Sequence, residues 1–192
     1  MGGMTQVAAK LMTAEKYLEF EAASEIRHEF VDGTLHAMAD ETLVHDDIVL
    51  NIVEALRPIA RAKKCKLHAT SIQTRVRGTR YRYPDIVVSC EDIQNVRLLE
   101  NPCFILEVQS DSTAETDNGA KLEEYTSLVS LQRYAIVSQK TRQVVVYKRS
   151  GETWTFAVLQ GSGEFDLPCL ETTLSLDQIY AGLELPASSD AD

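Results

Sequence analysis

The chain reads as one mixed α/β domain: a mixed central sheet flanked by helices, with extra strands at its edges. Three observations carry this reading. Helical and strand-like apolar patterns succeed one another along the chain, as helices packed on a sheet require. The 192 residues, 44% apolar and 25% charged, suffice for one hydrophobic core. Two short runs, Tyr83-Pro84-Asp85-Ile86-Val87-Val88 and Phe104-Ile105-Leu106-Glu107-Val108-Gln109, have the apolar, β-rich character of buried strands.

Residues 1–12 read as a loose arm, and the domain is expected over 13–185. Thr13 offers an N-cap to a helix through Ala23. His28 to Val31 and Leu35 to Met38 form a hairpin across Asp32-Gly33, the pair that type I′ turns favour. Ile48, Ile52, Leu56 and Ile59 recur at helical spacing, so a long amphipathic helix is expected from Thr42 to about Lys63, bent near Pro58. Strands follow over Leu67–Val76, Tyr81–Ser89 and Cys103–Ser110. A polar segment, 111–119, then leads to a helix near Ala120–Val129 whose Leu122, Tyr125 and Val129 face inward. Arg133–Ser138 and Gln143–Arg149 form a second hairpin, and Trp154–Leu159 adds a strand. Leu174–Leu183 reads as a closing helix, and 186–192 as a disordered tail.

Composition narrows the function. No apolar stretch approaches the roughly 18 residues of a membrane span, and no signal-peptide core precedes Thr13, so a cytoplasmic location is expected. Cys65, Cys90, Cys103 and Cys169 lack paired metal-ligand spacing and read as reduced thiols. A net charge of −10 argues against a broad nucleic-acid surface. Arg75, Arg77, Arg80 and Arg82 nevertheless form a local basic patch around Gly78. Zinc-protease, Ser-hydrolase and glycine-rich phosphate-loop motifs are missing from the sequence.

The chemistry centres on Asp85 and Glu107, 22 positions apart. Each places a carboxylate in an apolar run, where an unpaired charge costs several kcal/mol. Two such carboxylates converging from neighbouring strands make a hard-oxygen site for Mg²⁺ or Mn²⁺. Tyr81, Tyr83 and Asp85 are expected on one side of their strand, and Glu107 and Gln109 on one side of theirs. Lys121, on the first turn of the following helix, is close enough along the chain to return its ammonium to the cluster. Ordinary alternatives stand beside these readings. Asp85 can be a strand-start aspartate held by backbone donors, Glu107 can pair with an arginine, and Lys121 can be a solvent-facing helix lysine.

The segments His28-Glu29-Phe30-Val31-Asp32-Gly33, Pro84-Asp85-Ile86-Val87-Val88, Leu106-Glu107-Val108-Gln109-Ser110 and Lys121-Leu122-Glu123-Glu124-Tyr125 resemble the PD-(D/E)XK nuclease superfamily. Within it, they resemble the Uma-two family of restriction-endonuclease-like proteins, over roughly Met12 to Leu183. The resemblance implies a restriction-endonuclease-like core and Mg²⁺-dependent cleavage of DNA. Asp85 and Glu107 would be the metal-binding carboxylates, joined by Glu29 and the Val108 carbonyl. Lys121 would be the catalytic lysine, carried on the helix. Gln109 departs from the pattern, since an uncharged amide stands where the superfamily has lysine. The resemblance also suggests that His45 lies near the cleft.

Arg80 and Arg82 can contact phosphates or line a solvated strand face, and Tyr83 can stack on a base or pack. A homodimer would match the two-fold symmetry of duplex DNA, with Val144-Val145-Val146 as a contact or as core. Two alternatives differ in class. One is a non-catalytic nuclease-fold module for nucleic acid or protein binding, and the other is a hydrolase of smaller phosphate esters.

Overall fold

The computed structural model describes residues 12–38, 41–92, 97–109 and 119–187. Most of the expected arm and all but the first two residues of the expected tail lie outside these ranges. Thr13 caps helix α1 (Ala14–Ala23), its hydroxyl accepting from the Lys16 N–H at 3.4 Å. Thr42 caps α2 (Leu43–Ala62) by accepting from the His45 N–H at 3.1 Å. Asp46 in its first turn and Arg61 in its last complement the helix dipole. Strands β1 (His28–Val31) and β2 (Thr34–Ala37) pair antiparallel around the expected turn. Asp32 and Gly33 have φ of 47° and 95°, the left-handed pair a type I′ turn needs.

Two expected strands are each divided between sheets. Leu67–Val76 becomes β3 (Lys66–Ala69) and β4 (Gln73–Arg77), while Tyr81–Ser89 becomes β5 (Arg80–Arg82) and β6 (Ile86–Ser89). The chain leaves one sheet at Thr70, whose φ is 50°, and its N–H bonds the Asp85 carbonyl at 2.9 Å. It returns at Pro84, which has no N–H to continue a ladder. The same-face argument for Tyr81, Tyr83 and Asp85 therefore fails, because Asp85 enters a different sheet from Tyr81.

With β7 (Leu98–Leu99), the smaller sheet runs β2-β1-β5-β4-β7. The larger sheet runs β11-β10-β9-β8-β6-β3, using β8 (Phe104–Gln109), β9 (Arg133–Ser138), β10 (Gln143–Ser150) and β11 (Thr153–Gln160). The sheet is mixed: β8 runs antiparallel to β6 and parallel to β9. Side chains alternate across it. Ile86, Val88, Leu106 and Val108 pack with Ile48, Ile52 and Leu56 of α2. Val87 and Ile105 face the other way, toward Tyr125 of α3 (Ala120–Thr126) and Leu131. Glu107 shares the parity of Ile105, so it lies under α3.

The C-terminal part differs from expectation. Leu174 and Ser175 belong to β13 (Thr172–Ser175), paired with β12 (Glu164–Leu167). Ser175 then caps a single helical turn, α4 (Leu176–Ile179), in a capping box with Gln178. Helix α3 likewise stops early, leaving Val129 91% exposed while Leu131 takes the core position. Val144 and Val146 are fully buried in the main core, so they are core residues and not a dimer contact. The cysteines are also corrected. Cys65 is bonded to Cys90 and Cys103 to Cys169, although the partners are separated by 25 and 66 positions.

Candidate metal centre

Asp85 stands at the entry to β6 and is 6% exposed. Its Oδ2 accepts from the Val108 N–H at 2.7 Å and lies 3.2 Å from His45 Nε2. A backbone donor thus holds the carboxylate, as one ordinary reading expected, but a buried histidine meets it as well. N–H and C=O of one strand residue project toward the same side, so the Val108 carbonyl also faces the Asp85 edge of β8.

Glu107, 3% exposed, sits one residue before Val108 and on the opposite face. Tyr125 donates its hydroxyl to Glu107 Oε1 at 2.6 Å, and Lys121 Nζ lies 3.2 Å from the same oxygen. Lys121 is therefore not a solvent-facing lysine; it is 7% exposed. Its ammonium is also 3.8 Å from Oε1 of Glu29 on β1. Lys121, Glu124 and Tyr125 are spaced i, i+3 and i+4, so one face of α3 turns all three toward the sheets. Burial, and then the neighbouring Glu107 charge, raise the Tyr125 pKa, which keeps its hydroxyl a donor. Gln109 ends β8 half-buried, in register with Ser138, so the ammonium at the site comes from Lys121.

Glu124 does not stand out in the sequence, yet it is fully buried and organises the other half of the site. It receives a two-pronged contact from Arg82, Nε to Oε2 at 2.7 Å and Nη2 to Oε1 at 2.9 Å. Arg80 Nη1 adds a third contact at 2.9 Å, and its Nε binds Asp32 at 2.9 Å. Arg82 Nη1 also donates to Glu29 Oε2 at 2.6 Å. Burial works against the Arg82 charge, but Glu124 and Glu29 more than offset it and raise its pKa.

The phosphate role expected of Arg82 is thereby corrected, since its guanidinium is 4% exposed and committed to carboxylates. Arg80 likewise spends its guanidinium on Asp32 and Glu124. The signal for Glu124 lies in its spacing from Lys121. Tyr83 packs instead of presenting its ring to a base: it is 7% exposed and donates its hydroxyl to Glu21 at 2.9 Å.

His45, expected near a cleft, is 2% exposed at the first turn of α2, and a surface position is excluded. Burial disfavours its charged form, but Asp85 and Glu41 outweigh burial and raise its pKa. Glu41 Oε2 lies 3.6 Å from Nε2. Glu41, His45 and Asp85 each bring one donor atom within 4.8 Å of the others. An open cleft of about 600 Å³, bordered by Arg27, Glu41, His45, Thr70 and Tyr83, reaches this group. The donors are carboxylate oxygens with one imidazole, a set that suits a hard divalent cation.

Comparison with known proteins agrees with this architecture. The family model Uma2, described as "Putative restriction endonuclease", matches residues 14–179. An uncharacterized protein of Synechocystis sp. is 26% identical over 176 residues, covering 90% of this chain and 93% of the relative. A second from the same organism is 26% identical over 164 residues, covering 82% and 93%. Among solved structures, a chain described as a putative nuclease belonging to DUF820 from Anabaena variabilis superposes with a TM-score of 0.75 at 14% identity. It covers 88% of this chain and 98% of the neighbour.

Proposed function

Starting from a chain that belongs to the Uma2 family, we propose that it is a divalent-metal-dependent nuclease that cleaves DNA internally. Family and fold support a nuclease-like function. The observation that carries the finer reading is the buried ammonium of Lys121, 3.2 Å from Glu107 and 3.8 Å from Glu29. A lysine so buried is costly unless the carboxylates need it or the chemistry uses it.

Asp85 and Glu107 would hold the ion, with Glu29 and the Val108 carbonyl completing the oxygen set. Mg²⁺, or Mn²⁺ in its place, would supply Lewis-acid activation and offset the phosphate charge. The chain's own groups perform the rest. Lys121 pairs with the Glu107 carboxylate, orients the attacking water by donating a hydrogen bond, and offsets charge on the phosphoryl oxygens. Tyr125 fixes the Glu107 carboxylate, and the Val108 N–H fixes Asp85.

With Arg80 and Arg82 committed to carboxylates, DNA contact falls to Arg75 and Arg77. Their pairs with Glu100 and Glu123 are exposed and exchange readily for phosphate. The family and the exposure of Arg75 and Arg77 support DNA as partner. A homodimer fits a double-strand cut, and sedimentation in the presence of duplex tests it. No helix among the described residues is long and apolar enough to cross a membrane.

Plasmid nicking assayed with Mg²⁺, with Mn²⁺ and with chelator tests the reading. Asp85→Asn and Lys121→Met each reduce metal-dependent cleavage by about 10²-fold or more; undiminished cleavage by either variant defeats the assignment. A generic phosphodiester assayed in parallel separates a nuclease from a small-ester hydrolase. Gln109 favours a second reading, a non-catalytic module. In that case Mg²⁺ titration of the wild type yields no binding that depends on Asp85 and Glu107.

A further inference from the structure

All four cysteines of the chain meet at one place, opposite the carboxylates. They come from four separate segments: Cys65 follows α2, Cys90 follows β6, Cys103 precedes β8, and Cys169 lies in the turn between β12 and β13. The two bonded pairs also touch each other, with Cys90 Sγ 3.8 Å from Cys103 Sγ. The sulfurs of Cys90, Cys103 and Cys169 all lie within 4.8 Å of one another. In a tetrahedral zinc–thiolate site, with Zn–S near 2.3 Å, neighbouring sulfurs are about 3.8 Å apart. A disulfide needs only two cysteines together, whereas this fold gathers four.

We propose that the reduced cluster is a four-thiolate site for a soft divalent ion of the zinc class, and that the paired disulfides are its metal-free, oxidised form. Each disulfide takes two electrons and two protons from a dithiol, which itself becomes a disulfide. Four thiols result, and metal binding then displaces their four protons. The setting suits the charge. Four thiolates around Zn²⁺ carry two net negative charges, and Arg57, Arg61, Lys64 and Lys66 border the pocket beside Cys65. Such neighbours favour the thiolate form. Cys65 and Cys103 are buried while Cys90 is exposed, which gives the ion a route in. Bound metal would tie the β12–β13 hairpin to α2 and to the β6–β8 pair.

The test takes the full chain, reduced with excess dithiol, freed of reductant without oxygen, and titrated with Co²⁺ alone and Zn²⁺ alone. The expected result is one ion per chain bound by the thiols, read from the end point of tetrahedral cobalt–thiolate absorption, with release of up to four thiol protons and loss of thiol reactivity when Zn²⁺ is added. Cys90→Ser, at an exposed position, weakens Zn²⁺ binding beyond the roughly 10–100-fold expected of an outer contact. Asp85→Asn leaves the cobalt–thiolate spectrum unchanged. The proposal is overturned if the four thiols cannot be freed in the folded protein. It is equally overturned if the reduced protein gives no cobalt–thiolate absorption, or if Cys90→Ser binds as tightly as the wild type. Circular dichroism of the variant confirms that it is folded.

Discussion

The antiparallel pair β6–β8 carries different chemistry at its two ends. At one end Asp85 and Glu107 present oxygen, flanked by His45 and Lys121. At the other, Cys90 and Cys103 present sulfur, joined by Cys65 and Cys169. The ladder between them, Ile86–Leu106 to Val88–Phe104, is buried and apolar. A rigid, well-packed pair thus holds hard donors apart from soft ones. The ends also differ in how their charge is managed: the oxygen end is neutralised by buried lysine and arginine, while the sulfur end is neutralised by bonding the sulfurs to one another. In the proposed function, the first arrangement leaves its oxygens to a cation. The second keeps its sulfurs unavailable until they are reduced.

The comparison is most severely tested where the buried charge is concentrated. Glu124→Ala leaves buried Arg82 with Glu29 as its remaining carboxylate and Arg80 with Asp32, and is expected to lower stability by about 3 kcal/mol, measured by urea unfolding. Arg82→Met combined with Glu124→Leu recovers most of that loss. A small effect of the single change would mean that the carboxylate end does not depend on its buried counter-charges. Lys121→Met is next: metal-dependent cleavage falls at least about 10²-fold, equivalent to roughly 2.7 kcal/mol of barrier. Single-turnover rates distinguish this from weakened DNA binding.

Tyr125→Phe removes one donor from Glu107 and is expected to cost about 1–3 kcal/mol of stability. A smaller shift in unfolding midpoint would mean that Lys121 alone satisfies that oxygen. The next effect is a pH dependence in chelator. The folded-state pKa of His45 is raised, so its pairing with Asp85 stabilises fully below the ordinary histidine value and is lost as pH rises through the raised one. Stability of the wild type therefore declines across that window relative to His45→Gln, and parallel profiles would remove His45 from the oxygen end's charge balance. The smallest effect belongs to Arg75→Ala, whose exposed pair with Glu100 contributes no more than about 1 kcal/mol. The same change should still weaken DNA binding measurably at low salt.

Much of this architecture is legible in the amino-acid sequence because it is local. Thr13 and Thr42 announce helix starts through side chains that bond the adjacent turn, and Asp32-Gly33 announces its hairpin through backbone freedom. Asp85 and Glu107 stand out as charges in apolar runs, and Lys121 follows from chain distance and family pattern. Glu124 is less legible, since a glutamate in a charged helical stretch looks solvent-facing unless its i+3 spacing from Lys121 is weighed. The sheet change at Thr70 and Pro84 is hidden because each half of the divided runs is itself good strand sequence.

The sequence alone therefore determined the element types, the family resemblance and the odd carboxylates, all of which rest on neighbours along the chain or on motif order. Only the tertiary structure decided that Arg82 serves Glu124 and Glu29 instead of phosphate, that His45 meets Asp85, and that four cysteines converge. Those outcomes depend on which segments pack together across tens of residues, and burial then decides which charges need a partner.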